Sequence, residues 1–197
     1  MPELTEEQLK NMSPEEIAAL QKQNCVFCHI VKGKVAARKV FEDDKCLAIL
    51  DINPANPGHI LLLTKEHYQI MPQVPEDVIG HLFKVIKHLS QAALRSLGVK
   101  GTTIFVANGL VAGQRAPHFM MHVIPRKEGD GLKLDIPKKK MSEADQEMIY
   151  KRIKERVNAA FGVKEEAIEL PPKPEKVVDA EFKDEKTDLD KIAGLFS

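Results

Sequence analysis

The sequence predicts an α+β fold: a five-stranded, mainly antiparallel sheet with flanking helices, preceded by a helical arm and followed by a C-terminal extension. Two observations carry this. Five short apolar runs occur at Val40-Phe41, Cys46 to Leu50, His59 to Thr64, Thr102 to Ala107 and His118 to Ile124. Between the third and fourth lies one long segment whose apolar residues keep helical spacing, an order that favours a sheet with helices set to one side.

The composition fits such a domain. The chain has 197 residues, 43% hydrophobic and 29% charged, with a formal net charge of +0. That length supports one core of ordinary size with extensions. The charge balance argues against a large basic nucleic-acid surface. No apolar run reaches membrane-spanning length, and Met1-Pro2-Glu3-Leu4 opens an acidic, polar stretch rather than a signal peptide. Three cysteines, two of them as Cys25-x-x-Cys28, suit a reducing compartment and a metal better than a disulfide framework. A cytoplasmic protein is expected.

Residues 1–24 read as a helical arm. Thr5-x-x-Gln8 and Ser13-Pro14-x-Glu16 both carry the capping-box pattern, and Pro14 sits where a first helical turn tolerates it. Leu9, Met12, Ile17 and Leu20 offer an apolar stripe. The compact domain is expected over 25–137. Glu42-Asp43-Asp44-Lys45 turns between the first two strands, and the prolines and Gly58 of residues 51–58 mark a loop. Pro75 and Asp77 open the long helix of Ile79, Leu82, Phe83, Ile86, Leu89, Ala93 and Leu97, which Gly98 stops. Over 138–163 a further helix is expected, capped by Ser142, carrying Met148, Ile149, Ile153, Val157 and Phe161, and ended by Gly162. Residues 164–197 read as a charged linker, starting with Leu170-Pro171-Pro172-Lys173-Pro174, and an apolar tail motif from Leu189 to Phe196 that reads either as a tether and dock on this domain or a partner, or equally as a frayed tail.

The chemistry concentrates in His118-Phe119-Met120-Met121-His122. On a strand, side chains alternate faces, so His118, Met120 and His122 point the same way. Two imidazoles flank a thioether where a third imidazole would complete the set. Elsewhere, Cys25 and Cys28 can present two thiolates to one ion, leaving two tetrahedral positions that imidazoles fill well. His67 follows the third strand and His118 opens the fifth, so one end of the sheet can gather both. The redox alternative for a Cys-x-x-Cys lacks the βαβ surroundings it needs. Cys46, without a partner at useful spacing, reads as a buried strand residue. Taken singly, Asp51 reads as a turn cap, Gly113 as a turn glycine and His59 as a surface strand end.

Taken together, the motifs resemble the histidine triad family. Cys25-Val26-Phe27-Cys28, Asp51-Ile52-Asn53-Pro54, Pro57-Gly58-His59, Lys65-Glu66-His67, Ala112-Gly113-Gln114 and the run from Pro117 to Arg126 occur in that family's order, over about half the chain. The resemblance is to the zinc-bearing branch. It implies a homodimer, binding of a nucleoside phosphate, and cleavage at the α-phosphorus through a nucleotidyl-histidine intermediate. It assigns structural zinc to Cys25, Cys28, His67 and His118. It assigns Asp51 to the ribose hydroxyls, Ile30 to the base pocket, Gly113, Gln114 and His122 to the α-phosphate, and His59 to an auxiliary place near it.

Three positions depart from that pattern. Arg115 stands where several members carry a small polar residue; it either grips a phosphate bidentately or faces solvent. Asn108 sits one position closer to Gln114 than the family's usual asparagine. Met120 occupies the nucleophile position, and a thioether has no titratable group and is only a weak acceptor. Losing a nucleophile commonly costs several orders of magnitude in turnover. Two readings follow. One is a hydrolase or transferase acting on phosphoramidates or dinucleoside polyphosphates, its covalent catalysis impaired. The other is a non-catalytic nucleotide-sensing or adaptor protein on the same zinc-stabilised scaffold, engaging a protein partner through its termini. A purely structural zinc protein would leave Asp51, Gly113, Gln114 and His122 unexplained.

Overall fold

Two runs, Cys-Leu-Ala-Ile-Leu and Ile-Leu-Leu-Leu-Thr, are apolar at nearly every position, which is the pattern of strands covered on both faces. In the computed structural model, which describes residues 12–133 and 136–163, they are the two strands β2 (Cys46–Leu50) and β3 (Ile60–Thr64), buried almost throughout. Around them stand β1 (Lys39–Glu42), β4 (Gly101–Phe105) and β5 (Met120–Arg126). The sheet order is β1-β2-β3-β5-β4, and every neighbouring pair is antiparallel.

Alternation along the strands divides the core in two. Cys46, Ala48, Ile60, Leu62, Met121 and Val123 face helix α3 (Glu76–Leu97), meeting Leu82, Val85, Ile86 and Leu89. Leu47, Ile49, Leu61 and Leu63 face the other way, against Ile30, Phe27 and Met120. Strand β5 alternates half-buried and buried residues, so Met120 and His122 lie on the second face while Met121 and Val123 lie on the first. The expected fifth strand starts two residues late: His118 precedes it, because Phe119 N–H is drawn instead to Tyr68 O at 2.6 Å. Likewise β4 begins at Gly101 and ends at Phe105, short of Ala107. Within α3, Phe83 and Leu97 stay about half exposed rather than joining the core stripe.

Two short helices lead into the sheet. Helix α1 (Pro14–Asn24) has the capping box its sequence announced: Ser13 Oγ accepts from Glu16 N–H at 3.2 Å, and Ser13 N–H donates to Glu16 Oε2 at 2.7 Å. Cys25 then takes an extended backbone, and α2 (Val26–Val31) starts immediately. Helix α3 ends on Gly98 in the left-handed conformation, as a C-terminal glycine permits.

The described residues divide after Leu132 into two units. The second, described by itself, carries α4 (Glu143–Phe161), capped by Ser142 and ended by Gly162, with no buried residue. The Thr5 to Leu9 segment and the tail from Leu170 to Phe196 lie outside the described residues. Among the described residues, no helix is long and apolar enough to cross a membrane.

Candidate functional site

Cys25 and Cys28 stand one helical turn apart at the start of α2, which brings their side chains to one face. Antiparallel pairing of β3 with β5 sets Leu63 opposite Met120, so the segments just beyond these ends, carrying His67 and His118, meet beside them. Cys25 Sγ lies 3.5 Å from His118 Nδ1, Cys28 Sγ lies 3.6 Å from the same nitrogen, and Cys28 Sγ lies 3.2 Å from His67 Nδ1. Metal–ligand lengths of about 2.3 Å to sulfur and about 2.0 Å to nitrogen at a tetrahedral angle give S···N edges of about 3.5 Å. The four side chains fit an ion of that size.

The surroundings prepare the ligands. His118 Nε2–H donates to Thr64 O at 2.9 Å, which leaves the Nδ1 lone pair facing the sulfurs. Burial drives the His118 imidazole down to about 4, against the pull of that hydrogen bond, so the ring is neutral at neutral pH. Burial also lowers His67, with Lys22 nearby adding to it. Burial, then the neighbouring Cys25, pushes the Cys28 thiol up to about 11. Such a thiol is a poor redox nucleophile, and a cation at its side is what would make it a thiolate. His67 Nε2, the ring nitrogen other than the one facing Cys28 Sγ, is buried without a hydrogen-bond partner among the described residues.

Against this cluster opens a cavity of about 480 Å³, within the ordinary range for small-ligand sites. Its apolar wall comes from Phe27 and Ile30 of α2, Ile49, Leu61 and Phe105; its polar groups are Asp51, Asn53, Gln114, Arg115 and His122. His118 borders both cavity and cysteine cluster. Met120 lines the cavity between His118 and His122, packed on the Leu61–Leu63 face.

His59 lies behind His122 rather than in the cavity lining, and it is 5% exposed, not on the surface. Ala55 N–H donates to His59 Nδ1 at 3.2 Å, so neutral His59 carries its proton on Nε2. That nitrogen lies 3.0 Å from His122 Nδ1, which must therefore accept. His122 is left with an N–H on Nε2. Asp51 Oδ2 lies 3.3 Å from His59 Nδ1, while its Oδ1 accepts from Asn53 N–H at 2.9 Å. Burial lowers both histidines, with Asp51 opposing, and His59 lowers His122 further. Asp51, His59 and His122 also lie close enough to share a cation, but both His59 nitrogens are already engaged.

The loop before β5 differs from expectation. The resemblance assigns Gly113 and Gln114 to the α-phosphate, a task that free main-chain N–H groups would serve. Instead Gly113 N–H donates to Leu110 O at 3.0 Å and Gln114 N–H to Gly109 O at 3.1 Å. The Gln114 side chain is spent as well: Oε1 accepts from Gly109 N–H, and Nε2 donates to Gln69 O and Ala116 O. Gly113 holds a φ of +89°, which explains the glycine by the turn alone. Asn108 lies outside the lining; its Oδ1 accepts from Met71 N–H at 2.9 Å.

Sequence reasoning missed Phe27, Phe105 and Thr64. Phe27 lies inside the Cys-x-x-Cys motif but its direction follows from α2, which no periodicity announces in six residues. Cys46 is fully buried, its thiol pushed up to about 12 by burial and the neighbouring Asp43. Asp43 Oδ1 caps its turn and Oδ2 accepts from His81 Nε2–H at 2.6 Å, so this second Asp–Cys–His group is a structural staple.

Comparison with known proteins agrees with this geometry. Residues 32–129 match the family model described as the HIT domain. An uncharacterized HIT-like protein of Methanocaldococcus jannaschii is 44% identical over 107 residues, 54% of this chain and 82% of that protein. The adenylylsulfatase HINT3 of Arabidopsis thaliana is 39% identical over 117 residues, 59% of each chain. Among solved structures, a zinc-bound histidine triad family protein from Mycobacterium smegmatis superposes with a TM-score of 0.55 at 28% identity, covering 71% of this chain and 99% of that one. This chain belongs to the HIT family, and its open five-stranded antiparallel sheet is that family's fold.

The His118 environment predicts an acid transition in metal-depleted protein. The unfolded chain protonates this residue near 6.5 and the folded chain only near 4, so between those values the unfolded state binds more protons. Stability therefore falls as pH drops through that window, by on the order of 3 kcal/mol from this group. Urea midpoints at pH 7 and pH 4.5 measure it; His118→Asn should flatten the dependence, and an unchanged midpoint in the parent would refute it.

Proposed function

We propose that this chain is a nucleotide-binding HIT protein of the phosphoramidate and dinucleoside polyphosphate hydrolase type whose covalent catalysis is impaired. The observation that carries this is Met120, lining the cavity between His118 and His122. In the proposed complex the base packs on Phe27 and Ile30, Asp51 accepts from the ribose hydroxyls, and His122 Nε2–H donates to a phosphate oxygen. A histidine nucleophile would need a ring nitrogen lone pair at position 120, and the thioether offers none. A water attacking directly would lack a positioned base, because His122 Nε2 carries a proton and its Nδ1 is engaged by His59. HINT3, by its name, acts on an adenylyl sulfate; this chain, matching 59% of that protein, shares the scaffold on which such chemistry is done.

The same reading makes Cys25, Cys28, His67 and His118 the holders of a structural zinc ion. The S···N separations and the His118 tautomer support it. Zinc, when bound there, supplies a cross-link between α2, the turn after β3 and the segment before β5. With four protein ligands no position stays open for substrate. A homodimer and a cytoplasmic setting belong to the proposal as well. The second reading, a nucleotide-sensing or adaptor protein with no turnover, is favoured by the same Met120 and adds the termini as contacts for a partner.

Three outcomes are expected. Met120→His should raise hydrolysis of an adenosine phosphoramidate by roughly a hundredfold or more, in line with what a nucleophile contributes. Rapid turnover by the parent with a trapped adenylyl adduct would end this account. Asp51→Ala should weaken binding of a purine nucleoside monophosphate about tenfold in calorimetry, the scale of lost hydrogen bonds to a charged acceptor; no detectable binding by the parent at millimolar ligand removes the nucleotide reading. Metal analysis should find close to one zinc per chain, abolished by Cys28→Ser and untouched by Cys46→Ser. Zinc retained in Cys28→Ser would exclude the four-ligand site.

A further inference from the structure

Helix α4 carries an apolar face that nothing among the described residues covers. At 100° per residue, Ile149, Tyr150, Ile153, Val157, Ala160 and Phe161 fall within about 120° of one another, the width of stripe by which a helix packs. None of these side chains is buried: Ile153 is 59% exposed and Phe161 78%. Of the large apolar residues in α4, Met148 alone falls off the stripe. Apolar surface arranged in this way favours a partner that removes it from water.

The charges beside the stripe say which partner fits. Glu143, Asp145, Glu147 and Glu155 balance Lys151, Arg152, Lys154 and Arg156, so the helix has no net charge to draw it to an anionic membrane or a strongly charged peptide. The signs are nevertheless sorted along the axis. Three of the acids precede Tyr150, and every base follows it. The helix dipole accounts for acids in the first turn, but its influence fades within one turn of each end. It does not explain Lys151, Arg152 and Lys154, which stand two turns or more before Phe161. Glu147 meets Lys151 at 3.4 Å along the helix, an exposed pair of little strength.

We infer that α4 is a self-association surface, pairing antiparallel with α4 of a second copy of this chain about a two-fold axis between Tyr150 and Lys151. In such a pair each flank of the stripe meets the same flank of the other copy, and residues equally distant from the axis stand opposite one another. On one flank this sets Asp145 against Arg156. On the other it sets Glu147 against Lys154, which edges the stripe where its Nζ lies 5.6 Å from the centre of the Tyr150 ring. The two flanks arrive at the same register independently. Between them, Ile149, Tyr150 and Ile153 of both copies interdigitate. A parallel pair would instead set Asp145 and Glu147 against their own copies, like charge on like. The helix lies beyond residues 32–129, which match the HIT domain, so this contact belongs to the extension and does not depend on the nucleotide reading. A pair of helices each about 28 Å long makes a narrow contact, in the class of weak, reversible interfaces.

Disulfide trapping in the full-length, zinc-loaded chain tests this pairing, with diamide as the oxidant and the parent as the control for its own three cysteines. The axis sets position 150 against itself, within reach of a disulfide, and holds the two copies of position 157 about 20 Å apart. Tyr150→Cys should therefore cross-link to its own copy at least tenfold faster than Val157→Cys. Adding Glu147→Lys to Tyr150→Cys should slow that cross-linking about tenfold, the scale of two exposed pairs turned repulsive, and Lys154→Glu should do the same. Mixing the two charge variants should restore the rate, because each supplies the sign the other lacks. Raising salt from 50 to 300 mM should slow the trapping of Tyr150→Cys itself. Equal trapping at positions 150 and 157 would mean a parallel pair and overturns the assignment. So does trapping at neither position, and so does co-sedimentation of the parent with phosphatidylserine vesicles in place of trapping. Charge variants that cross-link no faster mixed than alone overturn the register.

Discussion

The register between β3 and β5 governs the rest of the molecule. Because side chains alternate with a period of two, the pairing of Leu61 with His122 and Leu63 with Met120 decides which residues enter the helix-side core and which face the cavity. A slip of one residue would bury His122 against Leu82 and Ile86 and turn Met121 toward the ligand. Burial on both faces forbids that slip, since Leu62, Leu63, Met121 and Val123 are all fully enclosed. The same pairing carries His118 beside Thr64, whose carbonyl oxygen sets the imidazole's direction.

Helix α2 joins two tasks that its six residues alone do not separate. Cys25 and Cys28 turn toward His67 and His118, while Phe27 and Ile30 turn toward the cavity. A metal clip at that helix would therefore stiffen one wall of the ligand site without touching the ligand. His118 belongs to both, lining the cavity and holding its Nδ1 near the two sulfurs.

Burial also decides the electrical character of the site. His59, His118 and His122 are all held neutral, and none of them brings a fixed positive charge to the cavity. Around the apolar slot lined by Met120 stands a set of oriented donors and acceptors, among them Asp51 and His122.

Much of this was legible in the chain itself. The five apolar runs announced the sheet, helical spacing and Gly98 announced α3, Ser13 and Glu16 announced the cap of α1, and the ordered motifs pointed to the HIT family. These signals are local, so composition and period suffice to read them. Tertiary structure decided what depends on hydrogen bonds between distant segments. It tied the N–H groups of Gly113 and Gln114 to Leu110 and Gly109, took Asn108 to Met71, set His59 behind His122, and left Arg115 as the one fixed cation among the described residues that line the cavity. A sequence states which donors exist; only the folded chain determines which have already been spent.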